Sequence, residues 1–251
     1  MPLNLAWIPN FKNVMPEWQK PNYDSGADGK KYSVPYDWGS TGIVQRLDKL
    51  SDNITKWADL WNPKYKGMMT MLNDARETPG AALKMLGYSL NSTDPAQVNQ
   101  AVEKLIEQKP LVQQYNSTNN IGNITRGVPL VHCWSGNVVL AWRNLGVKNV
   151  KYILPEEGYT LWADNLAIPV GARSYYGAHL FLNWLYEPEN YAFNENWVGY
   201  SCVNAPAYNL MDPMINRVAP SAADMQRGEV MNDVGGTASL YTDGWARVKA
   251  A

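Results

Sequence analysis

The sequence predicts an α/β protein with a largely parallel sheet. Short apolar runs that fit buried strands alternate along the chain with amphipathic segments at helical spacing. Gly, Pro, Asn and Asp residues mark the boundaries between these segments. The chain has 251 residues, of which 45% are hydrophobic, so it can bury a sizeable core in one large domain or two small ones.

Helix boundaries give the clearest local signals. Asp94 before Pro95 predicts a helix start, because a capping side chain precedes a Pro that fits the first turn. Ser135 is predicted to cap a helix over residues 137–145, which Gly146 ends.

The other elements follow from apolar runs and the residues that interrupt them. We predict an irregular segment at residues 1–31, strands at 31–36, 68–72, 129–133, 150–154 and 160–168, and a loop at WGSTG after the first strand. We predict helices at residues 55–61, from Asn73 or Asp74 as cap through 81–86, at 174–186, 224–229 and 236–248. Ligands of parallel sheets bind beyond the carboxyl ends of the strands. That rule selects four junctions: Leu72/Asn73, Cys133/Trp134, residues 162–164 and Tyr200.

Composition and charge exclude several classes of protein. With 22 Lys and Arg against 23 Asp and Glu, the net charge of −1 gives no general attraction to nucleic acid or anionic membranes. Cys133 and Cys202 are too few for a disulfide scaffold or a multi-cysteine zinc site. The longest uncharged stretch, residues 127–142, is too short and too polar to span a bilayer, and the first residues show no secretory signal.

The sequence lacks the motifs of phosphate loops, dinucleotide sites, zinc proteases and serine hydrolases. His132 and His179 are far apart and have no metal-like neighbours, so we expect no metal, no cofactor and no catalytic triad. His132 and Cys133 lie in an apolar strand and are predicted to be buried core residues.

Aromatic residues with polar tips are abundant, since 11 Trp and 15 Tyr accompany only 3 Phe. Such rings suit half-exposed surfaces that line a ligand, although drift in composition explains them equally well.

Two groups of carboxylates stand beside aromatic residues. Asp74 and Glu77 share a face if they lie on a first helical turn, where a capping box is the alternative interpretation. Trp162 and Asp164 are two residues apart and point to the same side of an extended strand. An indole beside a carboxylate suits an ammonium group, while a partly buried Trp with an exposed Asp is the alternative.

Six segments resemble, in the same order, the spermidine/putrescine-binding proteins of bacterial ABC transporters. They are YSVPYDWGSTGI, WADLWNPKYKG, NDARETPGAALKMLGYSLNSTDP, EEGYTLWADNLAIP, FLNWLYEPEN and EVMNDVGGTASLYTDGWARVKA. The resemblance implies a two-lobed fold of the type II periplasmic-binding-protein kind, joined by crossing strands, with a polyamine bound between the lobes. It also implies a partner permease and a location in the periplasm or, lipid-anchored, outside the cell.

The resemblance also implies roles for individual residues. Asp74 and Glu77 of DARE would hold amino groups, and Trp134 after LVHC would stack on the aliphatic chain. Trp162 and Asp164 would fix an amine, and Tyr200 of VGYS would complete an aromatic box. Met231 replaces an amide that is frequent in the family, which suggests altered selectivity because a thioether accepts hydrogen bonds poorly.

Matching of MPLNLAWIPNFKN to an internal family segment predicts an N-terminally truncated member with an incomplete first lobe. The partial first lobe would comprise residues 1–37 and 163–205, and the second lobe residues 38–162 and 206–251. We therefore expect a monomeric, non-enzymatic polyamine-binding protein without a nucleic-acid partner. The alternatives are a glycoside hydrolase with Glu77 and Asp164 as paired carboxylates, and a fragment that no longer binds.

Overall fold

The computed structural model describes residues 1–21, 24, 28–146 and 149–251. Its contacts divide the chain into two compact units. The first unit comprises Met1–Gly39 and Ala163–Arg217, and the second comprises Ser40–Trp162 and Val218–Ala251. None of the helices in the described ranges is long and apolar enough to cross a membrane.

Strands and helices alternate through most of the chain. The strands are β1 (Ser33–Arg46), β2 (Met69–Met71), β3 (Val112–Tyr115), β4 (Leu130–Trp134), β5 (Val150–Ile153), β6 (Tyr159–Ala167), β7 (Ser201–Cys202) and β8 (Gly228–Val230). The helices are α1 (Pro16–Gln19), α2 (Glu77–Met85), α3 (Pro95–Gln108), α4 (Asn120–Arg126), α5 (Ser135–Leu145), α6 (Tyr175–Leu185), α7 (Pro188–Val198), α8 (Ala222–Met225) and α9 (Ala238–Ala250). Strands β1 and β6 each have residues in both units.

The second unit is built on parallel and antiparallel pairs. β2 lies between β3 and β4 and runs parallel to both, and β6 runs parallel to β8. β1 runs antiparallel to β4 and β5. Helix α3 packs between α2 and α9, and its apolar face joins a core that includes Leu83, Val102, Leu105 and Trp245.

The first unit has a smaller core. β7 pairs antiparallel with β1, so that Cys202 lies opposite Asp37. Helices α6 and α7 cover this pair with Leu182, Tyr186 and Tyr191, all of which are buried.

Two of the local helix signals are confirmed, the start of α3 and the end of α5. The Asp94 carboxylate accepts a hydrogen bond from Ala96 N at the start of α3, as the Asp-Pro pair predicts. α5 ends at Gly146, whose φ of 63° is in the left-handed region that favours glycine. His132 and Cys133 are buried in β4, as predicted, and the His132 ring contacts Trp57 edge to face at 5.1 Å.

Three predictions about secondary structure are wrong. The sheet is mixed rather than largely parallel, because β1 continues through WGSTG instead of ending in a loop and pairs antiparallel with β4 and β5. Residues 224–229 are not one helix, since α8 ends at Met225 and Gly228 begins a strand beside β6. Ser135 does not cap α5 but lies inside it, where its hydroxyl accepts from Ser40 N at 3.4 Å.

Two further differences concern the first unit. The sequence prediction misses α7, which begins directly at Pro188. The predicted irregular segment 1–31 contains α1 and short helical turns, and residues 22, 23 and 25–27 of it lie outside the described part.

Candidate functional site

Asp74 sets the start of α2. One of its carboxylate oxygens, Oδ1, accepts hydrogen bonds from Arg76 N at 2.7 Å and Glu77 N at 2.8 Å. These bonds satisfy backbone donors that the helix itself leaves unpaired. Asp74 thus bonds the backbone at the start of α2, but the capping box given as the alternative does not form, because the cap residue is Arg76 and Glu77 Oε1 accepts from Thr41 and Trp134 instead. The side chains of Asp74 and Glu77 lie at the same end of α2.

Glu77 is a buried carboxylate held on one side only. Its Oε1 accepts from Thr41 Oγ1 at 2.7 Å and from Trp134 Nε1 at 3.1 Å. Its Oε2 is buried without a hydrogen-bond partner. Burial raises the pKa of Glu77 to about 7, and the charge of Asp74 raises it further, against the opposing effect of the Thr41, Trp134 and Thr160 side-chain donors.

The Arg76 guanidinium lies in sequence between the two acids but turns away from them. It stacks 4.7 Å from the centre of the Tyr241 ring and donates to Asn91 Oδ1 and Asn232 O. Among the described residues, Glu77 thus has hydrogen-bond donors but no cation as a partner.

Trp134 owes its position to the sheet. It ends β4 directly opposite Thr41 of β1, which brings the Thr41 hydroxyl and the Trp134 indole N–H to the same carboxylate oxygen. The indole is half-buried. Its hydrogen bond to Glu77 fixes the ring, so that part of its surface faces solvent in a defined orientation.

Trp162 and Met231 are brought together by the parallel ladder of β6 and β8. Leu161 pairs with Val230, and Met231 N donates to Leu161 O at 2.8 Å, so Met231 follows the ladder next to Trp162. Both side chains are half-buried. This edge of the second unit offers a ring and a thioether to a ligand.

The first unit contains the carboxylate of Asp164. Asp164 is exposed on β6, yet surrounding protein atoms partly desolvate it and raise its pKa. Asp37 is only 2% exposed. Burial, and to a lesser extent the negative charge of Asp164, raises the pKa of Asp37 to about 7. Tyr200 is half-buried between the end of α7 and β7.

A third acid of the first unit is fully buried. Glu195 of α7 accepts a hydrogen bond from Asn194 Nδ2 at 3.0 Å on Oε1, and its Oε2 has no partner. Burial, followed by the charge of Asp37, raises the pKa of Glu195 to about 9. In the described ranges, neither Asp37 nor Glu195 forms an ion pair.

Sequence reasoning misses Thr41, Asp37 and Glu195. Thr41 meets Glu77 only through the pairing of β1 with β4, which no local pattern reveals. Glu195 lies on the helix that the sequence prediction misses. Asp37 does carry a signal, since it is an acid between two aromatic residues, Tyr36 and Trp38.

The comparisons with known proteins agree with the resemblance that the six segments carry. Residues 2–219 match the family described as bacterial extracellular solute-binding protein. The spermidine/putrescine-binding periplasmic protein of Salmonella typhimurium is 36% identical over 248 residues, which cover 97% of this chain and 70% of that protein. Spermidine/putrescine-binding periplasmic protein 1 of Haemophilus influenzae is 32% identical over 254 residues, covering 99% of this chain and 69% of that one.

A solved structure extends the likeness to the fold. The spermidine/putrescine ABC transporter substrate-binding protein of Streptococcus pneumoniae matches with a TM-score of 0.82 at 31% identity, covering 100% of this chain and 77% of that chain. The predicted periplasmic-binding-protein-like α/β class is thereby confirmed. Because the family match and these relatives span most of its length, the chain belongs to the bacterial extracellular solute-binding proteins.

Proposed function

We propose that this protein captures a polyamine of the putrescine and spermidine class outside the cytoplasm and delivers it to the membrane permease of an ABC importer. The observation that carries the proposal is the Glu77 carboxylate. Thr41 and Trp134 hold one oxygen of Glu77, and the buried second oxygen lacks a donor. A ligand ammonium supplies that donor together with a compensating charge.

The chemistry of a polyamine fits the surfaces that each unit offers. A polyamine is a chain of methylenes between ammonium groups, so it needs flat apolar walls and spaced carboxylates. In the second unit, Asp74 and Glu77 take an amino group while Trp134, Trp162 and Met231 contact methylenes. In the first unit, Asp164 takes an amino group beside Tyr200.

The burial of Glu77 supports a charged ligand over a neutral one. Ionisation of a carboxylate in the protein interior costs free energy when no cation is nearby. Burial raises the pKa of Glu77 for this reason. A bound ammonium lowers the cost by direct Coulomb attraction. A sugar ligand supplies hydroxyl donors but leaves the charge uncompensated.

The names of the relatives give the proposal its ligand and partner. The Salmonella and Haemophilus relatives are spermidine/putrescine-binding proteins, and the Streptococcus protein is the substrate-binding component of an ABC transporter. We extend these properties to this chain, together with a periplasmic or lipid-anchored location and a monomeric state. The lobes predicted at residues 1–37 with 163–205 and 38–162 with 206–251 stay part of the proposal, which the two compact units support.

Calorimetry with putrescine and spermidine tests this function. We expect saturable heat with either amine, and a dissociation constant that rises with salt because the interaction is between charges. Glu77→Gln keeps the size of the side chain and removes the charge, so affinity should fall at least tenfold. Glu107→Gln, at an exposed glutamate of α3, is the matched control and should bind as the wild type does.

Two outcomes contradict the proposal. One is the absence of binding heat with millimolar polyamine while circular dichroism shows a folded chain. The other is turnover of a chromogenic glycoside that Glu77→Gln abolishes, which would support the hydrolase alternative.

A further inference from the structure

The first unit buries two acidic side chains in addition to the exposed Asp164. Asp37 is 2% exposed and Glu195 is 0% exposed, and each has a carboxylate oxygen without a hydrogen-bond partner. Asp37 on β1 and Asp164 on β6 lie on neighbouring strands of the sheet, and the charge of Asp37 also raises the pKa of Glu195. The three acids therefore form one group, which we call the first-unit acid cluster.

No basic side chain of the described residues compensates this cluster. The groups that face it are the phenol of Tyr36 on β1, Tyr191 and Asn194 on α7, and Cys202 on β7. Among them, only Asn194 donates to a carboxylate of the cluster, and its bond goes to Glu195. Asp37 receives neither a cation nor a side-chain donor.

Such an arrangement is expensive unless a ligand or a proton compensates it. A buried carboxylate without a partner costs several kcal/mol. An apolar side chain at position 37 would avoid that cost. The buried oxygen of Asp37 that has no partner among the described residues is therefore open to a donor supplied by a ligand.

We propose that Asp37 is a second ligand-binding carboxylate of the first unit, which with Asp164 receives one primary ammonium group of the cationic ligand. An –NH3+ group has three N–H donors and can serve both carboxylates at once. Burial and the charge of Asp37 raise the pKa of Glu195 to about 9, so Glu195 adds no second charge near neutral pH. This inference rests on the proposed polyamine binding and specifies how one end of the ligand is selected.

The burial of Asp37 determines which head groups fit. Because so little of Asp37 is exposed, only a small head group with N–H donors can reach its oxygen. A quaternary ammonium is larger and has no N–H donor, so it gains nothing from Asp37. The first unit should therefore prefer a primary ammonium to its N-methylated counterpart.

Calorimetry on four forms of the full chain tests the proposal, with putrescine and N,N,N-trimethylputrescine as ligands. Asp37→Asn should weaken putrescine binding at least tenfold and reduce the preference for putrescine over the trimethylated amine. Asp164→Asn should also weaken putrescine binding. Glu189→Gln, at an exposed acid of α7 in the same unit, removes one charge and should leave both dissociation constants unchanged.

The thermal midpoint separates a binding role from a structural one. Removal of an uncompensated buried charge should raise the midpoint of Asp37→Asn, whatever the role of Asp37. If the midpoint rises and the putrescine dissociation constant stays within twofold of wild type, Asp37 does not bind ligand and the proposal is overturned. If the Asp37→Asn variant does not fold, Asp37→Leu replaces it. Wild-type affinity of Asp37→Leu for putrescine would also overturn the proposal.

The same titrations distinguish failure of the proposed polyamine binding from failure of the role proposed for Asp37. In that case the wild type itself gives no heat with putrescine, or Asp164→Asn binds putrescine unchanged. Wild-type binding that Asp164→Asn weakens and Asp37→Asn does not would retain polyamine capture and reject only the role of Asp37.

Discussion

The indole of Trp134 donates its N–H to Glu77 Oε1 at 3.1 Å, and so joins the end of β4 to the first turn of α2. Glu77 also accepts from Thr41, so two side chains from two strands hold one oxygen of the carboxylate. The other oxygen, Oε2, is buried and has no hydrogen-bond partner among the described residues. One helix residue is thus oriented entirely by its sheet neighbours.

Trp134→Phe should weaken polyamine binding by about tenfold to a hundredfold. The variant keeps an aromatic wall for methylenes but removes the donor that orients Glu77, and a hydrogen bond to a charged group is worth about 1.5–3 kcal/mol. Calorimetry with spermidine measures the change. Trp197→Phe, at a Trp that is 79% exposed in α7, is the control, and an equal loss in both variants would show that the Trp134 bond has no specific role.

Asp164→Asn should raise the putrescine dissociation constant at least tenfold, which corresponds to about 1.4 kcal/mol. The amide keeps the shape of the side chain but cannot neutralise an ammonium group. Titrations at low and at high salt should show that the variant has lost part of the salt dependence as well. A dissociation constant equal to that of wild type would remove Asp164 from the site.

The stability of the unliganded protein should fall as pH rises from 6.5 to 8.5. The folded-state pKa values of Glu77 and Asp37 are about 7 and that of Glu195 is about 9, all above the ordinary values of 4.5 for Glu and 3.8 for Asp. The folded state therefore holds protons that the unfolded state has released. Stability is fully present below the unfolded pKa values and is lost as pH rises through the folded ones.

Urea titrations across this window measure the effect, which should total a few kcal/mol, roughly 2–4. The window begins at pH 6.5 because His132, whose pKa burial lowers to about 3, destabilises the fold only below the ordinary histidine pKa of 6.5. Glu77→Gln should flatten the slope, whereas Glu107→Gln should leave it as it is. A free energy of unfolding that rises between pH 6.5 and 8.5 would contradict these assignments.

Met231→Gln should shift selectivity toward spermidine. The amide oxygen accepts from an ammonium group, which the thioether does poorly, and the position lies beside Trp162 in the ladder of β6 and β8. We expect the ratio of spermidine to putrescine affinity to rise severalfold in competition titrations. Met225→Gln, at an exposed Met of α8, should leave the ratio unchanged, and an unchanged ratio in Met231→Gln would place Met231 outside the site.

Gly42→Ala should destabilise the second unit by about 1–3 kcal/mol. A Cβ at Gly42 would lie 2.4 Å from Ile153 O, where β1 and β5 approach most closely. Gly236→Ala is the matched control, because a Cβ there meets nothing within 4 Å. Thermal unfolding compares the two, and an equal midpoint for both variants would show that β5 can move away without cost.

An element is predictable from the sequence when neighbouring residues determine it, and is missed when contacts with distant parts of the chain determine it. The start of α3 was predictable because Asp94 and Pro95 are neighbours whose preferences alone define it. β1 was not, because Gly39 and Gly42 resemble turn residues locally and only pairing with β4 and β5 makes the strand continuous. In that pairing, Gly42 is required for close approach rather than for a bend.

The same reasoning applies to the candidate site. Asp74, Glu77 and Trp134 could be selected because each stands at a strand or helix end with a recognisable motif. Thr41 could not, since it meets Glu77 across 36 positions of sequence through a strand pairing. Glu195 lies on the unpredicted α7, and nothing near it in sequence indicates that it is buried.

Substitution can separate the two roles of Asp74, which are the hydrogen bonds at the start of α2 and the proposed binding of an ammonium group. Both bonds use Oδ1 as an acceptor, and an asparagine amide oxygen can accept them equally well. Asp74→Asn would thus leave α2 in place while erasing a negative charge, whereas Asp74→Ala would remove both. Exchange of Asp for Asn at this position thus changes the charge that a bound ligand meets while the start of α2 keeps its structure.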